Sequence, residues 1–276
     1  MPELPEVETV RRTLTELVVG RTISDVKVMW PKIIKHPEEV QEFCTLLRGE
    51  TIHSVGRRGK FLIFYLDQFT LVSHLRMEGK YGLFNAEDPM DLHTHITFTF
   101  EDGFELRYKD VRKFGTMHLF QKGAEFDVLP LKKLGPEPFS KEFSLQMLTE
   151  KLQKTERAVK AVLLDQNVVV GLGNIYVDEV LFRAGVHPEK KASSLTPSEV
   201  ERIHKETIKT LQEAVDKGGS TIRSYLNSQG QIGMFQLSLF VYGRKGEPCR
   251  VCGTEIEKFV AAGRGTHICP SCQKRT

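Results

Sequence analysis

The sequence predicts an α+β multidomain protein: an antiparallel β-sandwich preceded by a helix, then a helical domain, then a four-cysteine zinc ribbon. Three observations predict this fold class. Short alternating apolar runs fill residues 22–120, as in antiparallel sheets. Apolar residues return at helical spacing beyond residue 157, and four of the five cysteines lie in the last 28 residues.

The first predicted element is an amphipathic helix. Its apolar residues recur at helical spacing, and Gly20 is placed to end it: Val7, Val10, Leu14, Leu17 and Val18. Pro5 suits the first turn of a helix, and Glu6 and Glu8 suit its positive dipole. This explanation gives Pro2 and Glu3 no role.

Seven short runs follow the helix and predict the strands of the sandwich. Turn signals such as RRGK and EDG separate them, and they occupy residues 22–30, 51–56, 60–66, 70–75, 95–100, 104–108 and 116–120. Cys44 is predicted to be a small core residue. The glycine- and proline-rich segment 122–140 fits neither period, so it predicts an interdomain linker.

The second half of the chain predicts helices and a loop. Helices are expected at 157–164, at 175–184 with Gly185 as C-cap, and from the capping sequence that begins at Thr196 to Lys217. Residues 218–235 are polar and glycine-rich, which is typical of a lid or of a simply disordered segment. The predicted domains are therefore 1–130, a linker at 131–145, a helical domain at 146–235 and a zinc finger at 236–276.

The cysteine spacing predicts one structural zinc ion. Two C-x-x-C pairs sixteen residues apart match a four-cysteine zinc ribbon, with ligands Cys249, Cys252, Cys269 and Cys272. The residues between the pairs predict a β-hairpin with Gly263-Arg264-Gly265 at its tip. Arg264 is then either a solvated turn residue or a phosphate contact, and His267 is taken as structural because four thiolates complete the zinc shell.

The charge distribution predicts an anionic partner. The net charge of +3 is too mild to identify one, but residues 57–80 and 107–113 each carry +3 and residues 243–276 carry +4. No signal peptide or apolar span is seen, so a cytosolic or nuclear location is expected. Asn174 follows a glycine-rich turn at the start of a predicted helix, where it is either an anion-binding donor or a plain N-cap.

Seven blocks of sequence, in order, resemble the bacterial formamidopyrimidine-DNA glycosylases over essentially the whole chain. The blocks are PELPEVE (2–8), RRGK (57–60), SHLRMEG (73–79), KDVRKFG (109–115), LLDQNVVVGLGNIYVDE (163–179), GGSTIRSY (218–225) and the zinc ribbon. The resemblance implies a helix-two-turn-helix domain at 146–235 and a cytoplasmic bacterial monomer that acts on double-stranded DNA. It also implies excision of 8-oxoguanine and formamidopyrimidines, with strand cleavage by β,δ-elimination.

The resemblance assigns catalytic roles to residues near the N-terminus. Pro2, exposed as a secondary amine once Met1 is removed, is expected to attack the sugar C1′ and form a Schiff base. Glu3 is expected to transfer protons, and Lys60 to lie near the lesion phosphate, although Lys60 alone would be an ordinary turn lysine. Arg264 is counted with both the catalytic and the DNA-binding residues.

The resemblance also assigns DNA contacts. Met77, Arg112 and Phe114 are expected to fill the gap that the flipped base leaves, although a lone methionine or phenylalanine is more commonly a core residue. The expected phosphate clamp is His74, Asn174, Tyr242 and Arg264. Lesion recognition is expected from Glu6, Glu78, Ser220, Thr221, Ile222, Arg223, Ser224 and Tyr225.

Two alternative functions stay open at this point. An endonuclease VIII-type glycosylase shares the fold but takes oxidised pyrimidines; its opening resembles PEGPE, whereas Leu4 stands here. A zinc protein that binds DNA without catalysis would leave Pro2, Glu3 and Lys60 unexplained.

Overall fold

The computed structural model describes residues 1–220 and 234–275, which form two compact units. The first contains residues 1–133 and 218–220, and the second contains residues 134–217 and 234–275. The division falls between residues 133 and 134, and the finer four-part division predicted from the sequence stays a prediction. Within the described ranges, no helix is long and apolar enough to cross a bilayer.

The first unit is a β-sandwich led by a helix. Helix α1 (Leu4–Val18) and helix α2 (Val40–Leu47) accompany nine strands: β1 (Ile23–Val28), β2 (Ile34–His36), β3 (Ser54–Arg58), β4 (Phe61–Tyr65), β5 (Phe69–His74), β6 (Lys80–Asn85), β7 (Thr94–Phe100), β8 (Phe104–Lys109) and β9 (Thr116–Gln121). One sheet has the order β1-β7-β8-β6 and the other β2-β9-β5-β4-β3. All pairs are antiparallel except β2 with β9.

The core of this unit lies between the two sheets. Phe98 and Leu106 of one sheet and Leu62 and Leu71 of the other belong to a single buried cluster that also contains Cys44. Alternation places these side chains inward because successive residues of a strand point to opposite faces. Helix α1 packs against β3 and β4 with its apolar stripe, which brings the start of the chain to the sandwich.

The second unit is helical and ends in the zinc ribbon. Its elements are α3 (Leu145–Gln153), α4 (Val159–Leu163), α5 (Asn174–Ala184), α6 (Pro197–Asp216) and the hairpin strands β10 (Glu257–Ala261) and β11 (Arg264–Ile268). Helix α6 begins as predicted, with a capping box between Thr196 and Glu199, and α5 ends at Gly185 with φ of 67°. Helix α5 packs on both α6 and β11. The predicted fold class is confirmed.

Two local predictions need correction. The hairpin tip is Ala262-Gly263, with φ of 51° and 67°, because a two-residue turn with positive φ at both positions matches the twist of the paired strands. Arg264 is thus the first residue of β11 and pairs with Ala261. Asn174 is the first residue of α5 and Gly173 is its N-cap, so the plain N-cap interpretation of Asn174 was wrong.

Candidate active site

The chain begins with buried carboxylates. Glu3 is the N-cap of α1 and Glu6 its third residue, and the two form a reciprocal capping box in which the Glu3 amide donates to Glu6 Oε2 at 2.9 Å. Both side chains are buried, as is Pro2, whereas Met1 is half exposed. The carboxylates that crowd the N-terminus are therefore fixed in position by the first turn of the helix.

Glu6 also holds the start of the segment predicted to be a lid. Its Oε1 accepts hydrogen bonds from the Ser220 amide at 2.7 Å and from the Ser220 hydroxyl at 3.0 Å. Gly219, with φ of 79°, passes so close that a β-carbon there would lie 2.8 Å from Glu6 Oε1. Glu6 thus joins the N-terminus to residue 220, and the other predicted lesion contacts, at 221–225, lie outside the described residues.

Lys60 and His74 lie together at one end of the sandwich. Lys60 is buried in the two-residue turn between β3 and β4, and His74 ends β5 opposite Phe61. Burial and the nearby charges of Arg76 and Lys60 lower the pKa of His74 to about 3. His74 Nδ1 accepts a hydrogen bond from the Arg76 amide at 2.9 Å, so the neutral ring carries its proton on Nε2, as a phosphate donor requires.

This histidine makes the stability of the protein depend on pH. The unfolded chain binds a proton near pH 6.5, whereas folded His74 stays neutral down to about pH 3. As the pH falls through this window, the free energy of unfolding should decrease by up to about 1.4 kcal/mol per pH unit from this residue. Urea unfolding of His74→Gln between pH 7 and 4 should show a flatter dependence than the parent protein. Equal slopes for the two proteins would contradict the prediction.

Two loops of the same unit carry the predicted gap-filling residues. Met77 lies between β5 and β6, and Arg112 and Phe114 lie between β8 and β9. Met77 and Phe114 are 39% and 51% exposed, so the alternative that they are core residues was wrong. The Arg112 guanidinium lies 4.7 Å from the centroid of the Phe114 ring, and Glu78 is half-buried beside Met77. An exposed methionine and phenylalanine on neighbouring loops are suited to insertion between bases.

The second unit brings Asn174, Arg264 and Tyr242 to one region around the zinc hairpin. Asn174 Nδ2 donates to the carbonyl of Gly265 at 2.8 Å, directly beside exposed Arg264. The Tyr242 ring lies 4.9 Å from the ring of His267 on the same hairpin. Helix α5 therefore presents its N-terminus, a natural anion site, next to an arginine.

Two buried carboxylates that the sequence reasoning missed hold this region together. Glu179 accepts hydrogen bonds from the amides of Phe240, Val241 and Tyr242, and burial raises its pKa. Asp178 accepts from Lys160 Nζ at 2.6 Å and from the His267 amide at 2.9 Å. Lys160 also donates to the Thr266 hydroxyl at 2.8 Å, so α4, α5 and β11 meet at one ion pair.

Breaking the Lys160–Asp178 ion pair should strongly lower the stability of the protein. Lys160 and Asp178 have fully buried side chains, so removing one charge leaves the other unpaired inside the protein. Lys160→Met should lower the free energy of unfolding by about 3–5 kcal/mol in urea titrations. The matched control is the exposed pair Lys191–Glu156, for which Lys191→Met should change it by less than about 1 kcal/mol. Similar effects at the two sites would refute the structural role of Lys160.

The four cysteines predicted as ligands form the metal site. Their sulfur atoms all lie within 4.8 Å of one another, and within the described residues this is the group of histidines, cysteines and carboxylates placed to hold an ion. The spacing suits a tetrahedral zinc with Zn–S bonds of about 2.3 Å. His267 lies on β11 of the hairpin, is buried and is not in the group, so its structural role stays a prediction.

Comparison with known proteins identifies the family. Family models match residues 1–117 as the formamidopyrimidine-DNA glycosylase N-terminal domain, residues 134–225 as its H2TH domain and residues 246–275 as a zinc finger found in FPG and IleRS. A formamidopyrimidine-DNA glycosylase of Bacillus licheniformis is 66% identical over 275 residues, covering 100% of both chains. The chain belongs to the formamidopyrimidine-DNA glycosylase family.

Solved structures of a glycosylase from this family are similar over the whole length. A complex of the Lactococcus lactis Fpg with abasic-site DNA is 45% identical, with a TM-score of 0.93 over 99% of this chain and 100% of that one. A complex of the same wild-type protein with N7-benzyl-Fapy-dG DNA is 46% identical, with the same TM-score and coverage. The predicted family, fold and zinc finger are therefore confirmed, and the residue roles within this glycosylase stay predictions.

Proposed function

We propose that the protein is a base-excision-repair glycosylase that removes oxidised purines from double-stranded DNA and then cleaves the strand as an apurinic/apyrimidinic lyase. Family membership over the full length carries this proposal, and the buried Pro2-Glu3 start of the chain supports its chemistry. Structures of the Lactococcus lactis Fpg bound to abasic-site DNA and to N7-benzyl-Fapy-dG DNA support the substrate class.

The nucleophile is the nitrogen of Pro2. While Met1 is attached, this nitrogen belongs to a tertiary amide, whose lone pair is delocalised into the peptide bond. Removal of Met1 makes it a secondary amine that can attack C1′, forming the N–C1′ bond as the bond to the base breaks. Glu3 delivers the proton that opens the sugar ring, and the resulting iminium acidifies C2′ so that elimination can follow.

Two sets of cationic and polar groups bind the DNA. In the first unit, Lys60 and neutral His74 contact phosphates near the lesion, and Met77, Arg112 and Phe114 fill the gap, with Arg112 donating to the orphaned base. In the second unit, Asn174, Tyr242 and Arg264 contact the backbone. Glu78 and the segment from Ser220 read the flipped base, and Glu6 secures the start of that segment.

The protein acts as a monomer in the bacterial cytoplasm. The reducing cytoplasm keeps the four clustered cysteines free of disulfides, so that they can bind zinc as thiolates. Charge contacts on both units should make DNA affinity depend steeply on salt.

One trapping experiment tests the function. The protein is incubated with duplex DNA that contains 8-oxoguanine opposite cytosine, and borohydride is added to reduce any Schiff base. We expect a covalent complex that carries both the protein and the DNA. Trapping on thymine glycol but not on 8-oxoguanine would select the pyrimidine-specific alternative, and no trapping on any lesion would refute the enzymatic function.

A further inference from the structure

In each of the two loops that carry the gap-filling residues, the backbone of one glycine passes close to the side chain of Tyr108. Gly79 ends the loop of Met77, and Gly115 ends the loop of Arg112 and Phe114. A β-carbon at residue 115 would lie 1.7 Å from the hydroxyl oxygen of Tyr108, and one at residue 79 would lie 2.2 Å from the same oxygen. Real β-carbons do not approach other atoms this closely, so this one oxygen excludes a β-carbon at both positions. At residue 79 the carbonyl oxygen of Leu75, 2.6 Å away, excludes it as well.

The side chain of Tyr108 is held in place by aromatic residues of the core. It is fully buried on β8, and its ring meets the ring of Tyr81 edge-on at 5.1 Å. The Tyr81 hydroxyl in turn donates to Ser73 Oγ at 2.7 Å, and its ring contacts Phe64 at 5.6 Å. Aromatic pairs of this geometry restrict ring movement, so the Tyr108 oxygen occupies a fixed place between the loops.

Each loop is also locally constrained. Buried Asp110 accepts hydrogen bonds from the amides of Arg112 at 3.1 Å and Gly115 at 2.8 Å, which closes the second loop on itself. Arg76 and Lys113 have φ of 54° and 58°, a conformation that non-glycine residues seldom adopt. These features shape the loops one at a time, whereas Tyr108 contacts both.

We propose that Tyr108 is a positioning residue that sets the distance between Met77 and the Arg112–Phe114 pair, so that the three side chains enter the DNA gap as one wedge. This inference rests on the proposed function, which gives the wedge its role. Because β6 and β8 are paired, with Lys80 opposite Lys109, the loops emerge side by side, and the tyrosine oxygen fills the space between their backbones. Its removal lets each loop shift without the other.

The test compares base excision, which needs the damaged base to be displaced from the duplex, with cleavage of a preformed abasic site, which does not. Tyr108→Phe should slow single-turnover excision of 8-oxoguanine from a duplex by about tenfold, since small displacements of positioned groups cost rates of this order. It should also reduce the fluorescence change of a 2-aminopurine placed beside the lesion, which reports wedge insertion. Cleavage of a preformed abasic site and the melting temperature should stay within about twofold and 3 °C of the parent values. Tyr65→Phe, another strand tyrosine of the same unit, is the matched control.

A rescue experiment separates spacing from general packing. Gly115→Ala should impair excision and insertion more than Tyr108→Phe. Combining the two should recover part of the loss, because the closest contact of the new β-carbon lengthens from 1.7 Å to 2.7 Å, which a smaller shift of the loop relieves. The inference is overturned if Tyr108→Phe excises 8-oxoguanine as fast as the parent. It is also overturned if excision, abasic-site cleavage and the melting temperature all decrease in Tyr108→Phe, or if the double variant excises no faster than Gly115→Ala. A parent protein that cannot excise 8-oxoguanine would refute the proposed function, while the insertion signal would still test the spacing.

Discussion

Leaving Met1 in place is expected to abolish base release and Schiff-base trapping. The nitrogen of Pro2 would stay within a peptide bond and could not attack C1′. Pro2→Gly, which supplies a less constrained primary amine, should also reduce the excision rate strongly. Loss of a nucleophile costs enzymes on the order of 10⁴–10⁶ in rate, so single-turnover excision should fall below detection for the blocked protein. Gel analysis after borohydride treatment and quantification of released base measure the two effects.

Pro5 provides the matched control for this experiment. It lies in the same first turn and is buried, but its nitrogen is in mid-chain. Pro5→Ala should therefore keep trapping and excision within a fewfold of the parent. Binding to a duplex with an abasic analogue should be retained by the blocked protein, since the phosphate contacts are intact. A covalent complex formed at parental yield by the protein that retains Met1 would show that another nucleophile acts.

Loss of the zinc ion is expected to have the second large effect. Cys269 is fully buried among the four ligands, and Cys269→Ser should remove the metal, whose binding in small zinc modules is worth about 10–16 kcal/mol. The hairpin that carries Arg264 then loses its support. One charged phosphate contact contributes about 1.5–3 kcal/mol, so DNA affinity should fall roughly ten- to hundredfold. Metal analysis and fluorescence anisotropy with an abasic-analogue duplex measure the two quantities.

The fifth cysteine supplies the comparison. Cys44 lies in the sandwich core of the first unit and is not one of the four ligands, so Cys44→Ala should keep one zinc per chain and the parental affinity. The Pro2 amine belongs to the other unit, so Cys269→Ser should still be trapped at high DNA concentration. Unchanged affinity in a metal-free Cys269→Ser protein would show that the hairpin contributes nothing to DNA binding.

The sequence predicted elements best where several local signals coincide. Helix α6 starts as expected because an N-cap, a proline and a capping glutamate occur together. Helices α2 and α3 were not predicted. Phe43, Cys44 and Leu47 of α2 have helical spacing, but this helix has only eight residues and lies among strand-like runs. Strand β6 was missed because most of its side chains are partly exposed and Gly82 interrupts it. Short elements of this kind are defined by tertiary packing rather than by local pattern.

Only those residues of the candidate site that belong to contiguous sequence motifs could be predicted from the sequence. The residues near Pro2 and the zinc ligands occur in contiguous patterns, so their types could be assigned roles. The contacts of Lys160 with Asp178 and of Glu6 with Ser220 join residues far apart in the chain. From the sequence alone, a lone lysine or glutamate is predicted to be a solvated surface residue, so these contacts were not foreseen. The one available signal for Lys160 was its place among Val159, Val162 and Leu163, on the apolar side of a helix.

The contact of Tyr108 with two glycines also limits how this sequence can diverge. A β-carbon at residue 115 is excluded for as long as the tyrosine oxygen stays between the loops, whereas at residue 79 the carbonyl oxygen of Leu75 excludes it independently. A smaller side chain at 108 would remove the exclusion at residue 115 but leave a void beneath both loops. Residues 108 and 115 should therefore vary together, so that a homologue with a side chain at 115 lacks the tyrosine at 108 but keeps the glycine at 79.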